Sequence, residues 1–283
     1  PPHELLEDGM AFVDRAIDWA RQTGLKLALD LHKTAGMSFF TPESNDIWSR
    51  PELQDRFAGI WRRLAERYRG GAYDHVAFEL LNEPTAANHG DWNALARKGL
   101  AAVRDVDPRR TVVIGSNCWQ VPSTFEHLAD FRDANVTYAF HFYEPFVFTH
   151  QKAPWVDHLV RLNMTVEYPC VMPDLSDAAA AMPTETGREQ TMLYSKAALD
   201  AARLEAYLRP ALAFAARTGA MLYCSEFGTW DPAPRDSQRR WFRDVRDLFA
   251  RHGIGWCQWS YTCLYDPDGR PGPGAEVLFG AGA

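Results

Sequence analysis

The 283-residue chain is expected to form an α/β fold of the TIM-type (β/α)8 barrel class, and three observations carry that expectation. Short apolar runs alternate with segments of helical periodicity, the pattern of parallel βα units. The runs are almost continuously apolar, as strands covered on both faces are. Polar side chains gather where each run ends, and parallel barrels keep their chemistry at those ends. No repeat of 20–50 residues and no low-complexity linker appears, so a single domain over residues 1–283 is expected.

Taken in order, Leu6, Met10, Val13, Ile17 and Ala20 mark one face of a helix over 4–23, closed by Gly24. Leu25–Leu31 is a buried strand running into His32, and 33–50 is loop. A second helix covers 51–69, with Pro51 suited to its first turn and Gly70-Gly71 after it. The strand Val76–Leu81 stops at Asn82-Glu83-Pro84, because proline gives no N–H to a ladder and fixes its own φ. A helix over 91–106 is capped by Asp91, and Thr111–Ile114 opens into Gly115-Ser116-Asn117-Cys118-Trp119. After a short helix near 123–128, Val136–Phe140 ends at His141-Phe142-Tyr143-Glu144-Pro145. Residues 146–186 have no clean periodicity, and so long an irregular stretch in a compact domain is usually functional. A helical region over 188–218 should break near Pro210, since an interior proline removes a hydrogen bond. Met221–Ser225 ends in Glu226-Phe227-Gly228, a helix covers 237–252, and Ile254–Gln258 ends in Trp259-Ser260-Tyr261. That makes six strands. An eight-stranded barrel at ~30 residues per unit needs a first strand, first helix and second strand in roughly 45–60 further residues upstream, which the Pro-Pro start leaves room for.

Composition excludes several function classes. A net charge of −7 with no basic patch argues against a nucleic-acid partner. No apolar run reaches the ~20 residues of a membrane span. The five cysteines are too scattered for a disulfide framework or a zinc site, and Cys224 and Cys257 are expected inside strands as small buried hydrophobes. The nine histidines contain no His-x-x-x-His pair, Gly253-Ile254-Gly255 precedes a strand rather than linking strand to helix, and Gly-x-Ser-x-Gly is absent. Zinc-hydrolase, dinucleotide and nucleophile-elbow chemistries are therefore unsupported, and no metal or organic cofactor is expected.

What remains at the strand ends is His32, Asn82 with Glu83, Asn117 with Trp119, His141 with Tyr143, Glu226 and Trp259. In a parallel barrel these converge on one face. Two carboxyl groups there suit glycoside hydrolysis, one protonating the leaving oxygen and the other attacking the anomeric carbon, with a gap of ~5–5.5 Å for retention. An amide beside the acid can hold a sugar 2-OH, and a tyrosine or histidine can orient the nucleophile.

Leu29-Asp30-Leu31-His32, Leu81-Asn82-Glu83-Pro84, His141-Phe142-Tyr143, Ser225-Glu226-Phe227-Gly228 and Trp256–Tyr261 stand in an order and at intervals that resemble glycoside hydrolase family 5, the cellulase-type retaining β-glycosidases of clan A. The resemblance covers nearly the whole chain. It implies that Glu83 is the acid/base on the barrel's fourth strand and Glu226 the nucleophile on its seventh. It also implies Asn82 as the 2-OH partner, His141 and Tyr143 as the sixth-strand pair, His32 as the third-strand histidine and Trp259 as the sugar platform. The family's second-strand arginine would lie upstream and has no counterpart in this sequence, so the 283-residue chain is expected to be poorly active or unstable although the full-length protein is an enzyme. Ser260 stands where an acidic or polar residue often follows the tryptophan.

Trp119, Trp230 and His150 are further candidates for substrate contact, each with a plain packing role as the alternative. Asp30 and Glu79 alternate with the strand-end positions, where an inward or interlayer ion pair is expected, and Glu144 should lie at the rim. The expected partner is a β-linked oligo- or polysaccharide, with cellulose-like β-1,4-glucan favoured over mannan, xyloglucan or β-1,3-glucan, and the chain is expected to act as a monomer. Such a function favours a secreted or periplasmic setting. The competing class is a non-catalytic carbohydrate-binding barrel.

Overall fold

The computed structural model describes residues 4–280. It divides into two compact units: the chain through Phe140 with Pro210–Tyr223, and His141–Arg209 with the chain from Cys224 onward.

In the first unit, helix α1 (Glu7–Thr23) buries Met10, Ile17 and Ala20 and ends at Gly24, whose φ of 72° is the left-handed cap expected there. Strand β1 (Leu27–Asp30) is followed by α2 (Pro51–Arg67), β2 (Val76–Glu79), α3 (His89–Arg104), β3 (Val112–Gly115) and β4 (Val136–Phe142). Adjacent strands pair in parallel, with Leu27 opposite Val76, Phe78 opposite Val112 and Val112 opposite Val136. The N–H of Tyr138 donates to Met221 O at 3.0 Å, so the chain entering β5 (Leu222–Phe227) runs beside β4. Helix α3 begins at His89, capped by the Asn88 side chain on Gly90 N–H. The expected cap Asp91 instead lies in the first turn, where its charge complements the helix dipole.

Two fully buried indoles fasten the strand ends to the helices. Trp61 of α2 donates to Leu80 O at 3.0 Å, and Trp92 of α3 donates to Gly115 O at 2.9 Å. A carbonyl that loses its ladder partner at a strand's end needs another donor when buried, and each indole supplies it. Gly99 completes the α2–α3 packing, because a Cβ there would come within 2.7 Å of the Phe57 ring. Arg110, itself buried, donates to the carbonyls of Tyr68, Tyr73 and Val76 and so ties down the turn entering β2.

In the second unit the irregular 146–186 stretch resolves into short pieces: helices Phe146–Thr149, Asp157–Leu162 and Ser176–Ala180, with a further helix at Glu185–Met192. Cys170–Val171 pairs antiparallel with Ala198–Leu199. Helix α4 (Ala201–Thr218) contains Pro210 without ending there, contrary to the expected break. Leu204, Leu208, Ala211 and Phe214 are all buried, so one apolar face continues across the proline. The cost of the missing hydrogen bond, about 3 kcal/mol, is outweighed by that burial. The interruption falls earlier, before Asp200, whose carboxylate accepts from Arg203 N–H and caps α4. Helix α5 (Arg235–Arg251) precedes β6 (Gly255–Trp256), and Phe227 packs edge-on against Phe242 and Phe249. The N–H groups of Cys257 and Trp259 donate to Cys224 O and Phe227 O, which sets the segment after β6 beside β5.

Cys224 is buried as expected, but Cys257 is exposed because β6 stops at Trp256. Cys118, Cys170 and Cys263 are free thiols. Among the described residues, no helix is long and apolar enough to cross a membrane.

Candidate active site

In the first unit, β1 and β2 stand in register with Asp30 opposite Glu79, so the segments following them leave at one level. The N–H of Asn82 donates to Leu31 O at 3.2 Å, and Asn82 is 3% exposed. Glu83 has a φ of +45°. A left-handed conformation costs a non-glycine residue about 1–2 kcal/mol, and such strain gathers at functional positions. It is held here by Gln120, whose Oε1 accepts the Glu83 N–H at 2.7 Å.

His32 takes Asp30 Oδ2 on Nδ1 at 2.9 Å and meets the Phe39 ring edge-on. Asp30 thus orients a strand-end imidazole, whereas Glu79 accepts an amide hydrogen from Gln120 at 3.0 Å. Trp119 is half-exposed and pinned, its Nε1–H donating to Phe39 O at 3.0 Å. Asn117 faces inward, exchanging hydrogen bonds with both backbone groups of Ala86, which is a structural task.

In the second unit, β4 and β5 each run farther than expected, so His141 and Glu226 lie inside the strands. Glu226 Oε2 accepts the Tyr143 hydroxyl at 2.8 Å and stands 3.5 Å from His141 Nδ1. Two ring groups on one oxygen fix the carboxylate's rotation. Gly228 must lack a side chain, because a Cβ there would fall 2.4 Å from Trp259 O. Trp259 is 48% exposed. Glu144 is not a rim group. It is 5% exposed and held by Arg203 at 2.6 Å and the Tyr194 hydroxyl at 3.0 Å, with the burial of Tyr194 and the Glu144 charge pushing that phenol's pKa up.

An aromatic row continues from Tyr143. His150 stacks on Phe146 with centroids 4.1 Å apart and stands edge-on to Tyr143 at 4.9 Å. Trp155 follows at 6.2 Å from His150, and Trp230 lies 4.8 Å from Trp155. The Trp230 N–H donates to Thr149 O, and the Thr149 hydroxyl donates to Tyr143 O, so this row is braced through one residue.

Residues 2–263 match the family Cellulase (glycosyl hydrolase family 5). The chain belongs to that family. This family 5 chain is therefore a glycoside hydrolase. It is 34% identical over 272 residues to Endoglucanase C of Acetivibrio thermocellus, covering 95% of this chain and 78% of that protein. Cellodextrinase A of Ruminococcus flavefaciens is 32% identical over 252 residues, covering 88% and 67%. Among solved structures, endoglucanase Cel5A of Thermotoga maritima superimposes with a TM-score of 0.77 at 23% identity, over 98% of this chain and 80% of that one. That likeness shows the fold, the TIM-type (β/α)8 barrel class.

Two residues of the family 5 chain escaped sequence reasoning. Trp155 lies in the irregular stretch, where a lone exposed tryptophan has no periodic signal. Gln120 depends on a left-handed turn over Cys118, Trp119 and Gln120, with φ of 54°, 61° and 56°, which no glycine announces.

His150 gives the enzyme an acid liability. Burial lowers its pKa to about 4, against about 6.5 in an unfolded chain. Between those values the unfolded state binds more protons, so stability present above about pH 6.5 is lost as pH falls toward about 4. The expected loss is on the order of 2–3 kcal/mol. Urea midpoints at steps of pH should show this slope in the wild type and a flatter one in His150→Phe; equal slopes would contradict it.

Proposed function

We propose that the chain is a retaining endo-β-glycosidase that hydrolyses β-linked glucan, with cellulose-like β-1,4-glucan as the preferred substrate. Glu226 attacks the anomeric carbon and the C–O bond to the leaving sugar breaks as Glu83 gives that oxygen a proton. Glu83 then takes a proton from water, the water oxygen displaces Glu226, and the anomeric configuration is restored after two inversions. The observation that carries the reading is the Glu226 carboxylate gripped through one oxygen by Tyr143, with His141 beside it. A hydrogen-bonded, charged carboxylate in a fixed rotamer is what a nucleophile requires. Asn82, buried next to Glu83, suits the sugar 2-OH, with His32 in support. Trp259, Trp119, Trp230 and His150 supply ring faces and edges for a saccharide. Relatives named endoglucanase and cellodextrinase support a β-glucan substrate.

The test is a panel of soluble polysaccharides followed by reducing-sugar release and viscosity. The highest rate is expected on β-1,4-glucan, with viscosity falling well before reducing ends accumulate, and NMR should find the β-anomer first. Faster turnover of mannan, xyloglucan or β-1,3-glucan would replace the substrate assignment. A first-formed α-anomer would overturn the double displacement.

A further inference from the structure

The segment after β2 is clamped by the segment after β3 at three places. Glu83 N–H donates to Gln120 Oε1 at 2.7 Å, Trp119 N–H donates to Pro84 O at 3.3 Å, and Asn117 bonds both backbone groups of Ala86. The clamp is built against local preference. Cys118, Trp119 and Gln120 are all left-handed without being glycine, at about 1–2 kcal/mol each. Their turn drives the Gln120 side chain back over β3 and buries it completely. Gly115 makes the room, since a Cβ there would overlap the Gln120 amide at 2.3 Å. At the far end of that side chain, Nε2 donates to the buried Glu79 carboxylate at 3.0 Å, which fixes which face of the amide meets Glu83.

We propose that Gln120 is a positioning residue for the reaction. Its amide, oriented by Glu79, holds the Glu83 backbone in its left-handed conformation and thereby aims the Glu83 carboxyl at the glycosidic oxygen. This rests on the acid/base role given to Glu83 above. An amide suits the post because it accepts at one end and donates at the other. A leucine can do neither, whereas a protonated carboxylic acid can do both.

Two variants test the proposal against the wild type, with kcat/KM as the readout because it reports the first chemical step. Gln120→Leu should lower kcat/KM on an unactivated oligoglucan by about 10²-fold, the scale of a misplaced catalytic group. It should lower kcat/KM on a 2,4-dinitrophenyl glycoside less than about 5-fold, because that leaving group departs without a proton. Gln120→Glu keeps the shape and places a second carboxyl against Glu79, with Glu83, the Cys118 thiol and His89, which bonds Asn117 at 3.0 Å, the other titratable groups on the clamp. While the new carboxyl holds its proton, both hydrogen bonds survive. As pH rises that proton is lost, the donor to Glu79 disappears and two like charges face each other. The alkaline limb of the oligoglucan profile should therefore move toward acid in Gln120→Glu, with near wild-type kcat/KM retained at the acid end.

The proposal is overturned if folded Gln120→Leu hydrolyses both substrates within threefold of wild type, or loses both equally. Should Gln120→Leu fail to fold, an unshifted alkaline limb in Gln120→Glu overturns it alone. An unimpaired Glu83→Ala would instead sink the acid/base reading underneath.

Discussion

Glu226→Ala is expected to abolish polysaccharide hydrolysis, with kcat falling on the order of 10⁴–10⁶-fold, as when a covalent nucleophile is removed. The shortened side chain leaves an opening beside the Tyr143 hydroxyl that a small anion can enter. Azide at high concentration, offered with a dinitrophenyl glycoside, should then attack the anomeric carbon directly. A single displacement breaks the bond to the aryl oxygen and gives the α-glycosyl azide, the inverted product. Wild-type hydrolysis by the variant would remove Glu226 from the role, and a β-azide would show that a carboxylate nucleophile still operates. The same variant separates chemistry from folding, because Tyr143 and His141 keep their places on β4 and in the turn after it.

Glu83→Ala should behave differently in a way that depends on the leaving group. On oligoglucan kcat/KM should fall about 10²–10⁴-fold, the usual share of general acid catalysis. On a dinitrophenyl glycoside the first step should proceed nearly unimpaired, and the glycosyl-enzyme should accumulate because no base activates water. A burst of dinitrophenolate followed by slow turnover is the expected trace. Azide needs no base, so it should release the intermediate as the β-glycosyl azide, the retained product. Opposite anomers from the two variants assign the two carboxyl groups independently. An equal loss of kcat/KM on both substrates would refute the acid role.

The sequence made the succession of strands and helices legible because each element carries its own periodicity and its own stop. Gly24 ends α1 and Pro51 begins α2 where expected, since both act through backbone preferences that need no tertiary partner. Pro210 misled for the converse reason. Its local penalty is real, but the apolar face running from Leu204 to Phe214 is a tertiary quantity that outweighs it. Glu144 was misjudged in the same manner, as its partners Tyr194 and Arg203 lie 50 and 59 positions away. The polar residues of the site were legible because apolar strands set them off. Gln120 was not, because its importance comes from a backbone conformation that its own residue type does not favour.

The indoles of Trp61 and Trp92 bear on how this scaffold can be altered. Each reaches from a helix to a carbonyl at a strand's end, at Leu80 just past β2 and at Gly115, the last residue of β3, immediately before the segments that carry Glu83 and Gln120. A loop transplanted here from another barrel arrives on a strand end whose height is set by a donor outside the loop. Recombination that exchanges the segments after β2 or β3 must therefore inherit α2 and α3 with them. The smallest interchangeable cassette is strand, loop and helix together, not the loop that bears the chemistry.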